Sequence, residues 1–496
     1  MNEIFSILGI AAGIAGILAT IWWAGYYYFR SRKDSSYDKN EVICNDNRNY
    51  DALSRQIEDL KKTIELQRPE MHIHLDGLPY SNDQHKKQLF ADGLEALLKY
   101  NYDVALEKFI GILALHPEES EYIPLYLHIS ITYYYQSSFN EALKYGEKAL
   151  THAHKIQDSI GASSAYNNIS LIYRDLGEIE KAFENQEKAL EIHTNANSEY
   201  EKSVDLSNIG VLYTIRGESE KAIHSYKKAL DIAKKINDKK NIAINLNNLG
   251  SIYRTFGKID LAFDYVRQAL DISRGIGDKI NIANTFNNMG LLYNALSNLG
   301  EALSCYEQAL EIYRGLDWKQ GLASCLSNMG IIYRKSGKLN EALKYYEESL
   351  KISQEINYNQ GIAVNLGNIG LIYKDVKKFD FALDYFEKAL DINQKIGCKE
   401  DVAKSFSNMA VVYKDMGLVD KAFKYQNQAL EISKSIGHQK GIATAFCNMG
   451  LYYRDKGGLE KAVEFLYQSL KIAEKIHDKY LIDLVALALK EIEGLK

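Results

Sequence analysis

The chain has 496 residues, of which 46% are hydrophobic and 25% are charged, with a net charge of −5 and only four prolines. Residues 125–496 contain no proline, which excludes collagen-like and proline-rich disordered classes and indicates helices joined by short glycine turns rather than sheets. The near-balanced charge excludes the strongly basic surface of a nucleic-acid-binding protein.

The first predicted element is a membrane-spanning helix at residues 4–29. This segment carries no charged side chain and exceeds the roughly 20 residues needed to cross a bilayer. Aromatic residues gather at 22–28 and basic residues follow at 30–33, which places the rest of the chain on the cytoplasmic side. A cleaved signal peptide is the alternative, but the segment lacks a basic start and is too long. We therefore predict a single-pass membrane protein.

Three short segments follow the predicted anchor. Residues 30–49 are polar and predict a juxtamembrane tether. Residues 50–68 predict a short coiled-coil-like helix, whose apolar positions through 64 recur in steps of three and four. This helix either pairs weakly with a second copy, assisted by the anchor, or packs on the main domain. Residues 69–85 predict a linker, in which two histidines are too few for a metal site.

A strict 40-residue period organises most of the remaining sequence. Each unit has an asparagine, then a small residue two positions later, a tyrosine five positions later and an alanine fourteen positions later. Such recurrence is the signature of a repeat array. The eight asparagines are Asn168, Asn208, Asn248, Asn288, Asn328, Asn368, Asn408 and Asn448.

Each unit predicts a helical hairpin. In the unit around Asn248, apolar and small residues step by three and four over 243–253, which forms one stripe of a first helix. Gly257 supplies the left-handed residue that ends this helix, and a second stripe runs over 262–276. Aspartates precede several units as expected N-caps, namely Asp158, Asp238 and Asp278.

The order of small residue, tyrosine and alanines resembles the tetratricopeptide repeat (TPR). This resemblance implies an all-α, right-handed superhelical solenoid of about ten hairpins at residues 86–477, with a capping helix at 478–496. The 40-residue units with an asparagine before the glycine also resemble the Pins-type and kinesin light chain arrays. In those families such asparagines hold extended partner peptides.

No pattern of catalytic or metal-ligating residues stands out. The chain has no phosphate-binding loop, nucleophile elbow or zinc-protease motif, so we predict no enzymatic activity, no cofactor and no metal. The five scattered cysteines indicate a reducing compartment and small apolar fillers. Histidines such as His193 and His477 fall at non-repeated positions, and we expect them to be exposed.

The asparagines are the candidate binding residues, because on a helical wheel they lie away from the packing stripe and, by the resemblance, face the groove. An asparagine amide both donates and accepts, which suits a peptide backbone. Six residues later, most units carry a cation that would attract an acidic peptide, although aspartates follow four of these. The cations are Arg174, Arg254, Arg334, Lys374, Lys414 and Arg454.

The alternative is that the asparagines tie adjacent hairpins together and the cations only solvate helix ends. The sequence therefore predicts a membrane-anchored scaffold that binds an extended, acidic peptide segment of a protein partner, and no nucleic acid. A peptide-responsive regulatory receptor and an architectural subunit of a membrane complex are the other hypotheses.

Overall fold

The computed structural model describes residues 54–60 and 83–494. These residues form α-helices and one short 3-10 helix, and they contain no β-strand, which confirms the all-α repeat array. The predicted membrane helix at 4–29 and the tether at 30–49 lie outside the described residues. No helix within the described ranges is long and apolar enough to span a bilayer.

Twenty of the helices pair into ten antiparallel hairpins, preceded by α1 at residues 54–60 and followed by a single helix, α22. Every hairpin packs its first helix on its second and then on the next hairpin. The helices are α2 (Gln84–Leu98), α3 (Tyr102–Ala114), α4 (Tyr122–Tyr135), α5 (Phe139–Ile156), α6 (Ser159–Asp175), α7 (Ile179–Asn195), α8 (Glu199–Arg216), α9 (Ser219–Lys235), α10 (Lys239–Thr255), α11 (Ile259–Ile276), α12 (Lys279–Ala295), α13 (Leu299–Gly315), α14 (Lys319–Lys335), α15 (Leu339–Glu355), α16 (Asn359–Asp375), α17 (Phe379–Ile396), α18 (Lys399–Asp415), α19 (Val419–Ser435), α20 (Gln439–Asp455), α21 (Leu459–Lys475) and α22 (Lys479–Glu493).

Helix α1 packs on the first hairpin. Ile57 is fully buried in a cluster with Phe90 and Leu94 of α2, and Leu60 lies against the same cluster. The amine of Lys87 donates to the hydroxyl of Ser54. Within the described part of residues 50–68, this apolar position therefore faces the array and not a coiled-coil partner.

The turns inside the hairpins use a left-handed residue, as the glycine pattern predicts. Gly177 has φ +77° and Gly257 has φ +68°, and the two exceptions, Ser297 and Lys377, take the same conformation at φ 59°. Repeat geometry therefore fixes the turn even where a side chain makes it more costly. The predicted N-caps are also confirmed, because Asp158, Asp238 and Asp278 each accept a hydrogen bond from the backbone three residues later.

The array curves until its second half lies on its first half. The turns inside hairpins 1–5 contact the turns that follow hairpins 6–10, and we call this contact the seam. At its start the backbone amide of Lys319 donates to the hydroxyl of Tyr100 across 3.1 Å. Near its end the rings of Phe256 and His477 stack with centroids 4.5 Å apart. The hydrogen bonds across the seam join residues 219–223 positions apart, so about 5.5 units complete one superhelical turn.

The middle of the seam mixes apolar packing with polar contacts. The side-chain amide of Asn359 donates to the carbonyl of Gln136, and the thiol of Cys398 donates to the carbonyl of Asp175. Lys399 pairs with Glu178. Cys398 also belongs to a buried cluster that draws residues from both halves of the array, including Phe139, Ile172 and Ile396. The seam is therefore a continuous packed interface within one chain.

Candidate functional site

The first helices of hairpins 3–6 line a concave cavity of about 420 Å³. Helices α6, α8, α10 and α12 supply all of its wall except Gln186, which reaches it from α7. We call this space the amide cavity, because ten asparagines line it. They are Asn167, Asn168, Asn208, Asn241, Asn247, Asn248, Asn281, Asn284, Asn287 and Asn288.

Four of the eight predicted binding asparagines meet in this cavity. Asn168, Asn208, Asn248 and Asn288 come from four consecutive hairpins. Asn168 is buried and the other three are half-buried. Among the described residues none of these four side chains makes a hydrogen bond, so each amide has its donors and its acceptor available to a ligand.

Three asparagines of the later hairpins are bonded to neighbouring helices instead. Asn328 donates to the side-chain oxygen of Asn287 across 2.9 Å, and Asn368 donates to the hydroxyl of Ser327 across 3.1 Å. Asn448 donates in the same way to Ser407 and also to Gln426. Each of these bonds ties one hairpin to the one before it. Asn408, which lies between them and is half-buried, makes no such bond in the described part of the chain.

The other six asparagines of the cavity escaped the sequence analysis. They lie one, four or seven positions before the repeated asparagine of their unit, which we call the ladder asparagine, and asparagine takes these positions only in hairpins 3–6. The amide of Asn247 donates to Thr285 across 2.7 Å, while its own carbonyl oxygen is buried and has no partner among the described residues. A local excess of asparagine over one stretch of the repeat was the signal that could have revealed them.

Most of the predicted basic row is neutralised within the array. Arg174 contacts Asp175 at 2.7 Å, and both Arg334 and Lys374 contact Asp375. Lys414 pairs with Asp455 at 2.9 Å, and Arg454 pairs with Asp455 and with Glu491. Arg334 and Lys414 thereby link one hairpin to the next.

Arg254 differs from the rest of the row. Its side chain makes no ion pair or hydrogen bond within the described ranges, and burial lowers the pKa of its guanidinium. In the amide cavity the charged residues are Arg174 and Lys240, and no aspartate or glutamate lines it. Lys240 also has no ion pair among the described residues. The groove of hairpins 3–6 is thus polar, amide-rich and weakly positive.

The expectation that His193 is exposed is wrong. Its ring lies in the core between hairpins 3 and 4, where Nδ1 is 2.6 Å from Oδ2 of the fully buried Asp205. Gln186 donates both to the other oxygen of Asp205 and to Asn167 in the cavity wall. Burial raises the pKa of Asp205, and the contact with His193 opposes that rise. Most other units have small or uncharged residues at these two positions, so this network is specific to one junction.

In the part of the chain that the structure describes, no three His, Cys, Asp or Glu side chains are placed to hold a metal ion. The site therefore consists of hydrogen-bonding amides and a few cations on rigid helices, which is an arrangement for binding an extended polar ligand.

These features define a helical-repeat solenoid with a polar cavity lined by its first helices. The tetratricopeptide repeat matches the sequence at residues 121–195, 161–235, 241–315, 321–395 and 401–475, which together make up more than half of the chain. The chain belongs to the tetratricopeptide repeat family.

Several solved structures are similar to this chain. BtubC (BKLC) from P. vanneervenii is 22% identical over 45% of this chain and 91% of that chain, with a TM-score of 0.35. A Rap protein complexed with competence and sporulation factor is 16% identical over 79% and 98%, with a TM-score of 0.47. Aspartyl phosphate phosphatase F from Bacillus subtilis is 16% identical over 73% and 96%, with a TM-score of 0.47. A search of curated proteins finds no match.

Proposed function

We propose that the chain is a membrane-anchored scaffold that holds an extended, acidic peptide segment of a partner protein in the groove of a right-handed TPR superhelix. The observation that carries this proposal is the set of unbonded amides of Asn168, Asn208, Asn248 and Asn288 on one wall of the amide cavity. These four side chains are the proposed clamp. Of the other repeated asparagines, Asn408 is proposed to extend the clamp, whereas the amides of Asn328, Asn368 and Asn448 are occupied by bonds between hairpins.

The spacing of the clamp suits an extended backbone. Packed helices lie about 8–10 Å apart, and three residues of extended chain rise about 10 Å. One asparagine per hairpin would therefore meet about every third peptide group, donating to its carbonyl and accepting from its N–H. Such a clamp depends little on the sequence of the peptide.

The charge of the cavity favours an acidic ligand. Arg174 and Lys240 line it, Arg254 belongs to the same helix as Asn248, and no carboxylate faces the ligand from the cavity wall. The Asp175 carboxylate beside Arg174 reduces the attraction, so Lys240 carries most of it within the cavity. We therefore expect peptide affinity to fall as salt rises.

The anchor is proposed at residues 4–29, with the array on the cytoplasmic side. It is supported by the uncharged segment and by the basic residues at 30–33 that follow it. Alkaline extraction of membranes should leave the full chain in the pellet, and protease added to sealed inverted vesicles should digest the array. Release at alkaline pH would contradict the anchor.

The clamp is tested with the full chain in lipid nanodiscs and a displayed library of random peptides. Enriched peptides should be acidic. Fluorescence anisotropy then measures the affinity of the chain for one of them. The triple variant Asn208→Ala, Asn248→Ala and Asn288→Ala should weaken binding by about 3 kcal/mol, on the order of 100-fold, because each lost hydrogen bond costs about 1 kcal/mol.

The chain offers a matched control for this experiment. The triple variant Asn328→Ala, Asn368→Ala and Asn448→Ala removes the same number of amides from bonds between hairpins, and should lower stability more than affinity. A peptide with N-methylated backbone should lose binding even with an unchanged sequence. Equal affinity of both triple variants, with unchanged circular dichroism, would refute the clamp. A large change in X-ray scattering on peptide binding would instead indicate a peptide-responsive receptor.

A further inference from the structure

One isoleucine position of the repeat lies in two different environments. It is found where the second helix of a hairpin ends. Ile356, Ile396 and Ile476 lie in the seam and are only 1%, 6% and 8% exposed. Ile156 and Ile276, at the same position after hairpins 2 and 5, are each 38% exposed. At these five positions the seam covers the isoleucine in the second half of the array and leaves it open in the first half, while Ile236 and Ile436 are both half-buried.

The opposite face of the seam shows the same division. Leu176 and Phe256, in the turns inside hairpins 3 and 5, are half-buried against the second half of the chain. The residues at the same position in hairpins 6, 8 and 9 are Leu296, Val376 and Met416, and they are 54%, 44% and 37% exposed. These three apolar side chains repeat the chemistry of the seam without a partner among the described residues.

The array therefore ends in two open edges that correspond to the two halves of the seam. We call the turns that follow hairpins 1–5 the lower edge, with Ile156 and Ile276. We call the turns inside hairpins 6–10 the upper edge, with Leu296, Val376 and Met416. Within one chain, the same two kinds of turn already pack against each other over five consecutive hairpins.

We propose that the upper edge of one chain binds the lower edge of a second copy, so that the copies stack head to tail and continue the seam between molecules. The second copy is the occupant because this chain carries both complementary surfaces. An interface of this heterologous kind leaves one upper and one lower edge free after each addition, so it builds an open stack rather than a closed dimer.

One pair of facing positions on the two edges carries opposite charges. In the seam, Lys399 after a hairpin pairs with Glu178 inside another. On the open edges the signs are exchanged at one pair of positions, because Lys378 occupies the position of Glu178 on the upper edge and Glu199 occupies the position of Lys399 on the lower edge. Glu199 also pairs with Lys235 of its own hairpin, and the other lower-edge lysines at this position, Lys239 and Lys279, face no acidic residue. Stacked copies in the register of the seam would bring Lys378 toward Glu199, which favours the head-to-tail arrangement over the contact of two upper edges.

The first experiment is site-specific photo-crosslinking of the full chain in its membrane, with light and heavy isotope-labelled copies mixed. A photoreactive residue at Val376 should form crosslinks between a light and a heavy copy, with the adducts in the turns that follow hairpins 1–5. The same residue at Phe256, the corresponding seam position, should capture residues near His477 within one chain. Adducts from Val376 only within one chain, or only to another upper edge, would overturn the proposal.

The second experiment uses edge variants in detergent at rising concentration, followed by sedimentation. Val376→Glu with Leu296→Glu blocks the upper edge, and Ile156→Glu with Ile276→Glu blocks the lower edge. Each should weaken association by about tenfold or more, because burying an unpaired carboxylate is unfavourable. Leu487→Glu, on the exposed face of α22, is the control and should leave association unchanged.

Mixing the two edge variants distinguishes the arrangement from any other dimer. Each retains one intact edge, so the mixture should form one-to-one dimers that grow no further, while each variant alone stays monomeric. The recovery of dimers also shows that both variants are folded. A mixture that stays monomeric, or variants that associate as well as the original chain, would overturn the proposal.

Discussion

Gly330 lies so close to Tyr346 that a Cβ on Gly330 would be only 2.5 Å from Cε1 of the ring. The same approach recurs between a first-helix glycine and the residue sixteen positions later in most hairpins, for example between Gly290 and Tyr306. In hairpin 9 the pair is Ala410 and Gln426. A larger residue in the first helix thus goes with a narrower one in the second, and the two positions form one packing unit.

The first prediction follows from this pair. Gly330→Ala should destabilise the array by about 1–3 kcal/mol, because the added methyl group overpacks the core against Tyr346. Tyr346→Gln should compensate for Gly330→Ala, so that the double variant loses at least about 1 kcal/mol less stability than the sum of the two single variants. The glutamine is expected to fit because Ser327 and Asn368 flank this position as Ser407 and Asn448 flank Gln426. Denaturant unfolding followed by hydrogen exchange of α14 measures both effects.

Gly367 in α16 provides the control for that prediction. A Cβ there would meet no atom within 4 Å. Gly367→Ala should therefore be neutral or stabilise the helix by about 0.5–1 kcal/mol. Equal losses from Gly330→Ala and Gly367→Ala would show that helix backbone, rather than the contact with Tyr346, sets the cost.

The second prediction concerns pH. Burial raises the pKa of Asp205 above its ordinary value of 3.8, so the protonated carboxyl fits the fold better than the carboxylate. The contribution of this carboxyl to the free energy of unfolding is fully present below pH 3.8 and is lost as the pH rises through the raised pKa. The melting temperature of the original chain should therefore fall relative to that of Asp205→Asn over this window.

Asp420 gives the opposite sign and serves as the control. The hydrogen bond from Lys456 lowers the pKa of this exposed carboxyl, so its small contribution is present above 3.8 and is lost as pH falls through the lowered pKa. The original chain should therefore lose stability relative to Asp420→Asn on acidification. If the difference in melting temperature between the original chain and each variant changed with pH in the same direction for Asp205→Asn and Asp420→Asn, the opposite pKa shifts of the two carboxyls would be contradicted.

The third prediction concerns the seam. Ile396→Glu places a carboxylate in a buried cluster and should separate the two halves of the array at a cost of about 3 kcal/mol. X-ray scattering of dilute protein should report a larger radius of gyration, with unchanged helix content by circular dichroism. Ile276→Glu changes the same repeat position outside the seam and should leave the radius unchanged. A larger radius in both variants would point to general unfolding.

The fourth prediction uses Cys398 as a reporter of the same contact. Burial raises the pKa of this thiol to about 12, so little thiolate is present at pH 8 and alkylation should be slow. Ile396→Glu should accelerate its alkylation at least about tenfold, because the opened seam exposes the thiol to water. Cys325, whose pKa burial also raises to about 12, lies in the core outside the seam. Mass spectrometry should find its rate unchanged.

The hairpins were predictable from the sequence because each depends on residues within 40 positions of one another. The turn at Gly177 and the cap at Asp158 follow from local chemistry, and both are confirmed. The burial of His193 was not predictable from its non-repeated position, since its partner Asp205 belongs to the next hairpin and replaces a small residue there. Pairwise substitutions of this kind break the repeat pattern and leave no periodic signal.

Long-range features of the site were beyond the sequence for a different reason. The seam depends on a small rotation per hairpin that accumulates over about 5.5 units, and no single unit encodes it. The pairing of Arg334 with Asp375 likewise depends on how neighbouring first helices are offset. The period of the sequence identified the ladder asparagines. It could not show that Asn288 makes no hydrogen bond in the described part of the chain while Asn328 donates to Asn287, because these contacts depend on how neighbouring helices pack.

The seam also limits how this gene can change in length. An open solenoid tolerates the gain or loss of one unit, because each unit touches only its neighbours. Here a deleted hairpin between Glu178 and Lys399 would bring Glu178 opposite Gln439, and every other pair along the seam would shift by one place at the same time. Natural variants of this chain should therefore add or lose hairpins at the ends of the array, while its interior keeps a fixed number of units.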